Sequence, residues 1–214
     1  MRPPLTERIL LRLCDSGQID GMWVGFWGKD TELRRVEEAL GLIKTYDRVR
    51  YNRLIRDLQR IWVLPLSGAV GAFSPPIACC KLDPRFVLAE PPEMIAAAIV
   101  HEATHARLLR CGIGYGEDER ASVEAVCVRR ELAFAARLPN GERVREQAGR
   151  YLESCASPGH WSNASISERH LSAAVRTLRY VGVPDWLART IIALRVVSLG
   201  ISRFVRGLVV RRRF

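Results

Sequence analysis

The chain has 214 residues, a formal net charge of +10 and a 48% share of hydrophobic residues. That length and composition suit one globular domain with a buried core, and they exclude a disordered or fibrous protein. The sequence contains no internal repeat or low-complexity tract, and its six cysteines lack CxxC spacing. We therefore expect reduced thiols rather than a disulfide framework.

The N-terminal region is expected to be scaffold. Residues 1–16 contain an apolar run that is too short and too interrupted for a signal peptide, so we expect a cytoplasmic protein. The aromatic stretch 22–28 is strand-like. Residues 31–60 predict one or two helices of mixed charge, because their apolar side chains recur at helical spacing.

Short apolar segments between residues 60 and 88 predict a small antiparallel sheet. Residues 60–64, 69–74 and 77–82 have strand character, and residues 85–88 are a candidate fourth strand. The pair Pro75-Pro76 indicates a sheet edge, because proline cannot donate to a ladder of hydrogen bonds.

A long helix is predicted to follow this sheet. Pro91, Pro92 and Glu93 fit a helix start, because proline is tolerated in the first turn and an acid complements the helix dipole there. An apolar run rich in helix formers comes next, and Gly112 and Gly114 end the helix.

This helix carries an HExxH motif at residues 101–105. Residues four apart lie on one helix face, so His101 and His105 could each give a ring nitrogen to the same zinc ion. Glu102 would then point to the open side of the metal, where a carboxylate can take a proton from water. The alternative is a pair of helix histidines without a metal. The motif predicts a zinc hydrolase, foremost a metallopeptidase.

A catalytic zinc ion usually has three protein ligands, so a third is needed. Cys111 stands six residues after His105. A helix that runs through Leu108 carries Cys111 about 9 Å further along the axis and off the metal-facing side, which excludes it as a ligand.

The other candidates lie in the next predicted helix, residues 117–138. A short glycine-containing connection predicts that this helix packs antiparallel to the first. Folding the chain back at the glycines places Glu124 beside the histidines and Glu119 too early. We therefore prefer Glu124 as the third ligand and keep Glu119 as the alternative.

Two helix histidines and a glutamate from a following helix resemble the gluzincin metallopeptidases, particularly the small members with a minimal core. The segment 124–132 is similar to their glutamate-bearing helix. It lacks the aspartate that often follows in membrane-associated members and the Asn-Glu signature of thermolysin-like ones. The resemblance covers roughly residues 50–138, and it implies a zincin-like core, a zinc ion and a peptide or protein substrate.

The resemblance also implies roles for side chains around the metal. Glu102 is expected to act first as general base and then as general acid. A second electrophile beside zinc is expected, for which Tyr115, Tyr151, His160 and His170 are available. We name Tyr115 and His160 as candidates, the latter because it lies in a loop. The first interpretation of His160 is nevertheless an ordinary surface histidine.

Gluzincins hold an extended substrate on the sheet that precedes the metal-binding helix. The resemblance therefore implies that the strand at residues 69–74, or its neighbour, lines the cleft and pairs with a substrate backbone. The alternative is that these strands only build the core.

The C-terminal tail, residues 184–214, has seven arginines against one acid, Asp185, and so contributes +6 of the +10 charge. Three arginines interrupt its apolar stretch, which argues against a membrane span. Our first interpretation is a helix packed on the core with a solvated arginine face. A basic amphipathic helix on an anionic membrane surface comes second, and nucleic acid last, since no nucleic-acid-binding motif is present.

The sequence thus predicts a mainly helical α+β protein. We expect an N-terminal helical and aromatic scaffold (1–60), a zincin-like catalytic core (61–140) and a C-terminal helical region with a basic tail (141–214), packed as one domain. The core would contain the antiparallel sheet, the HExxH helix and an antiparallel glutamate-bearing helix. The predicted function is a zinc metallopeptidase. The alternative is a non-catalytic zinc-binding regulatory module that acts through its tail.

Overall fold

The computed structural model of the protein describes residues 5–27, 30–157 and 159–194. Its helices are α1 (Leu5–Leu13), α2 (Asp30–Tyr46), α3 (Arg48–Asp57), α4 (Pro84–Ala89), α5 (Pro92–Arg110), α6 (Glu117–Ala135), α7 (Glu142–Cys155) and α8 (Asn163–Tyr180). Its strands are β1 (Asp15–Ile19), β2 (Met22–Phe26), β3 (Arg60–Val63), β4 (Gly71–Ser74) and β5 (Cys79–Leu82). Residues 185–194 are also helical.

The predicted α+β class is confirmed: helices predominate and surround one small sheet. The prediction that the sheet is antiparallel is partly wrong. Its order is β1-β2-β3-β5-β4, in which the two outer pairs are antiparallel and the two inner pairs are parallel. Strands β2 and β3 are parallel because helices α2 and α3 form a crossover connection between them. Strands β3 and β5 are parallel because β4, which lies between them in the chain, is at the outer edge of the sheet and β5 returns beside β3.

The candidate fourth strand at residues 85–88 is a helix instead. Asp83 caps α4, since its side chain accepts a hydrogen bond from the amide of Arg85 at 2.9 Å, and Pro84 occupies the first turn. An Asp-Pro pair is a helix start, and here it overrides the strand propensity of the apolar residues that follow.

Helix α5 lies at the centre of the protein and contacts α2, α3, α6, α7, β4 and β5. It ends where predicted, in a Schellman motif: the amide of Ile113 donates to the carbonyl of Leu108, and that of Gly112 to Leu109. Gly112 has a φ of 79°, a left-handed conformation that favours glycine. Its buried apolar face consists of Met94, Ile95, Ala96, Ala97, Ile99, Val100, Ala103 and Ala106.

A carboxylate at the end of α3 anchors the C-terminal turns of α5. The side chain of Asp57 is 1% exposed, and its oxygens lie 2.7 Å from Arg56 Nε and 3.6 Å from Arg107 Nη1. Arg110 also donates to it. These cations fix the end of the helix that carries the HExxH motif.

Among the described residues, no helix is both long enough and apolar enough to cross a membrane. The prediction for the basic tail falls largely on residues 195–214, which lie outside the described residues.

We predict that Asp57→Asn lowers the free energy of unfolding by about 2 kcal/mol at neutral pH, because it removes charge-assisted hydrogen bonds. Burial alone would raise the pKa of Asp57, but Arg56, Arg110 and Arg107 hold it below its usual value. The stabilisation is therefore present above about pH 4 and is lost as the pH falls through the folded-state pKa. Urea unfolding of both proteins at pH 7 and pH 3 measures this. An equal difference at both pH values would contradict an electrostatic anchor.

Candidate metal centre

The two histidines of the motif lie side by side on α5, one helical turn apart. Their ring centroids are 5.0 Å apart, and both side chains are 12% exposed. Helical spacing alone brings them together, since residues i and i+4 share a face.

Glu124 of α6 lies between the two imidazoles. Its Oε2 is 3.1 Å from His101 Nε2, and its Oε1 is 3.5 Å from His105 Nε2. Donor atoms that are each about 2.0–2.1 Å from a tetrahedral zinc ion are about 3.3 Å from one another. Both distances from the Glu124 carboxylate to the imidazoles are close to this value.

Glu131 accepts a hydrogen bond from His101 Nδ1. With a metal ion bound, this bond would select the tautomer in which the lone pair of Nε2 faces Glu124 and His105. Sequence reasoning gave Glu131 no role, although it stands seven residues after Glu124 and so shares its face of α6. The signal was the i, i+7 spacing of the two carboxylates.

Cys127 is the second residue that sequence reasoning missed. Donor atoms of His101, His105 and Cys127 all lie within 4.8 Å of one another, a group that could hold a metal ion. The thiol is fully buried and stands three residues after Glu124, on the same side of α6. The centre thus gathers two nitrogens, a carboxylate and a sulfur from two helices.

Glu102 points from α5 towards the edge strand β4. Its carboxylate lies against the backbone of Phe73, and it is held close to Gly71, where an added Cβ would stand 2.9 Å from its Oε1. The glycine therefore leaves room for the carboxylate. Sequence reasoning did not single out Gly71, because the contact joins elements that are distant in the chain.

The histidines, Glu102 and Glu124 line one cavity of about 740 Å³. The edge strand and the loop before it, residues 68–73, form one wall, as expected for the segment 69–74. Residues 144–151 of α7 and residues 160–170 line the cavity too. Its size suits a small molecule or a few residues of a peptide.

The candidate electrophiles all line this cavity but differ in their contacts. Tyr115 donates to Glu124 and lies edge-on to His105, with ring centroids 5.3 Å apart. His160 packs against Trp161, with centroids 4.8 Å apart. Tyr151 lies 6.4 Å from the ring of His101, and within the described chain its hydroxyl forms no hydrogen bond.

The remaining candidates lie away from the histidines. Glu119 is exposed in the first turn of α6, and its carboxylate folds back towards Gly114, whose Cβ position is 3.0 Å from it. Cys111 is an exposed residue that caps the end of α5. His170 lines the cavity from α8.

The electrostatics of the cluster follow from its burial. Burial raises the pKa of Glu102 to about 7 and lowers that of His105 to about 4. Burial would also lower the pKa of His101, but Glu124 and Glu131 raise it well above its usual value. Burial raises the pKa of Glu124, and His101 outweighs this and lowers it. Protonated His101 is the cation that meets the carboxylates of Glu124 and Glu131 in this cluster.

No protein-family model, curated protein or solved structure matches this chain.

We predict that Glu131→Ala lowers the affinity for Zn²⁺ by 10- to 100-fold, as loss of an outer carboxylate partner of a metal-binding histidine does elsewhere. Competition with a chromophoric chelator measures the affinity. Glu119→Ala is the matched control on the same helix and is expected to bind as the unchanged protein does. A larger loss with Glu119→Ala than with Glu124→Ala would make Glu119 the ligand.

Proposed function

We propose that the protein is a zinc-dependent hydrolase that cleaves peptide bonds. The observation that carries this proposal is the position of Glu102, a buried carboxylate beside two imidazoles and Glu124, on the wall of a cavity bordered by an edge strand. This arrangement puts a proton-transfer group, Glu102, next to candidate metal ligands and next to a strand that could hold an extended substrate.

Zinc would be held by the Nε2 atoms of His101 and His105 and by the carboxylate of Glu124. Bound there, it would polarise a substrate carbonyl and lower the pKa of a water molecule. Glu131 would keep His101 in the orientation that this requires.

Glu102 would move the proton. It takes one from the attacking water and delivers it to the nitrogen of the leaving amine, so that the carboxylate is regenerated in each cycle. Its burial and the backbone contact with Phe73 hold the carboxylate in one place. A carboxylate with a pKa near neutrality can serve as both base and acid.

The second electrophile would come from another element of the cavity wall, helix α7. The hydroxyl of Tyr115 is engaged by Glu124, whereas that of Tyr151 is uncommitted among the described residues. Tyr151 is thus placed ahead of Tyr115 and His160 as the donor to a developing oxyanion.

The substrate would lie along β4. Within the described residues, this strand lies at the edge of the sheet and pairs with β5 alone. Apart from the Phe73 group that Glu102 contacts, its outer backbone groups would be available to an extended peptide. The cavity wall is mainly apolar, which favours a hydrophobic side chain beside the bond that is cut.

We predict that Glu102→Gln leaves Zn²⁺ binding intact and lowers peptide hydrolysis by 10²- to 10⁴-fold, because it removes a base and not a ligand. The measurement combines metal content with cleavage of a mixture of internally quenched peptides. Glu93→Gln, in the first turn of the same helix, is the control and is expected to keep full activity.

Two outcomes would contradict the proposal. Full activity of Glu102→Gln would remove the assigned mechanism. Absence of peptide cleavage by the zinc-loaded protein, both unchanged and with Cys127→Ala, would favour the alternative function, a regulatory module that binds zinc without hydrolysis.

We also propose that the basic tail docks on an anionic membrane surface. In its described part, Ala188 is fully buried, whereas Trp186 is 70% and Leu194 is 65% exposed. This helix therefore packs by one face and leaves two large apolar side chains on the outside. Large apolar side chains beside arginines are typical of helices that lie in the plane of a lipid interface.

Flotation with lipid vesicles tests this docking. The full chain is expected to float with vesicles that contain phosphatidylserine and to stay behind with phosphatidylcholine alone. The double variant Trp186→Ser, Leu194→Ser is expected to float several-fold less, because it loses apolar contact with the interface. Leu5→Ser, which alters an exposed leucine of α1, is the control. Equal flotation of both variants would exclude the tail as the membrane contact.

A further inference from the structure

We propose that Cys127 is a fourth protein donor to the metal, so that the resting centre is a closed His₂–Glu–Cys site. This inference rests on the proposed metal site and concerns its ligand set, its choice of metal and its regulation. It begins from the group of donor atoms that His101, His105 and Cys127 form within 4.8 Å.

The surroundings of this thiol differ from those of the other buried cysteines. Cys79, Cys80 and Cys155 each belong to a cluster of packed apolar side chains, whereas Cys127 belongs to none of these clusters although it is fully buried. Donor atoms of His101 and His105 lie within 4.8 Å of its sulfur, and Glu124 stands one helical turn before it. Packing of the apolar core therefore does not account for its position.

Helix geometry presents Cys127 together with Glu124. Residues three apart share a helix face, so one face of α6 offers a carboxylate and a thiol to the two imidazoles of α5. A sulfur atom bound to zinc at about 2.3 Å would be about 3.6 Å from the nitrogen ligands of a tetrahedron. A rotation about χ1 or a side-chain shift of about 1 Å closes the difference.

The donor set selects the metal. Thiolate and imidazole ligands suit Zn²⁺, Co²⁺ and Cd²⁺, whereas Mg²⁺ and Mn²⁺ prefer oxygen ligands. On binding, the thiol releases its proton to solvent and the sulfur–metal bond forms.

Four protein ligands leave no position for water on a tetrahedral zinc ion, which is the arrangement of structural rather than catalytic sites. In the resting state Cys127 therefore blocks the position that hydrolysis needs. Removal of this sulfur opens the centre.

The experiment is a titration of the metal-free full chain with Co²⁺, followed by absorption spectroscopy. The unchanged protein is expected to develop the intense near-ultraviolet band of sulfur-to-cobalt charge transfer. Cys127→Ala is expected to bind Co²⁺ without this band and to show more peptide hydrolysis with zinc than the unchanged protein. Cys155→Ala, another buried cysteine, is the matched control and is expected to keep the band.

The outcomes separate this inference from the proposed function. If the unchanged protein binds Co²⁺ without the charge-transfer band, and if Glu124→Gln lowers the affinity for Co²⁺, the role of Cys127 is overturned and the His₂–Glu site remains. A band that persists in Cys127→Ala would assign the sulfur to another cysteine and also overturn it. No Co²⁺ or Zn²⁺ binding at all would overturn the metal site itself. Should Cys127→Ala fail to fold, Cys127→Ser tests the band in its place.

Discussion

The imidazole of His101 lies between two carboxylates of α6, Glu124 and Glu131, and this buried arrangement joins the candidate site to the fold. A buried carboxylate costs several kcal/mol unless a partner of opposite charge or a hydrogen-bond donor meets it. The register between α5 and α6 is therefore fixed. A shift of one residue would turn Glu124 by about 100° away from both histidines and leave it unpaired.

The same helix α5 also forms the centre of the apolar core. Its small residues Ala96, Ala97 and Ala103 allow neighbouring elements to approach closely, while its polar groups gather on the side that faces the cavity. Anchoring of its C-terminal turns by Asp57 keeps this helix in place relative to α3. The stability of the fold and the geometry of the candidate site therefore both depend on α5. Substitutions at the C-terminal end of this helix are expected to alter the site.

Much of this could be anticipated from residues close in the chain. The bounds of α5 followed from Pro92 and Gly112, and the pairing of its histidines followed from helical spacing. The position of Glu124 followed from a short connection between two helices, which leaves few ways to fold back. The prediction of a strand at residues 85–88 was wrong, because the capping Asp83 and Pro84 outweigh the strand propensity of the apolar residues that follow.

The sequence by itself determined local features: the two helices that carry the site, the end of α5, and the side chains on α5 and α6 that face the same way. Only the tertiary structure decided the parallel pairs within the sheet, the approach of Gly71 to Glu102, and the gathering of Cys127 and Glu131 at the histidines. Helical periodicity and caps act within a few residues, so the chain itself records them. Contacts between distant elements depend on how the helices and the sheet pack together, which no short pattern encodes.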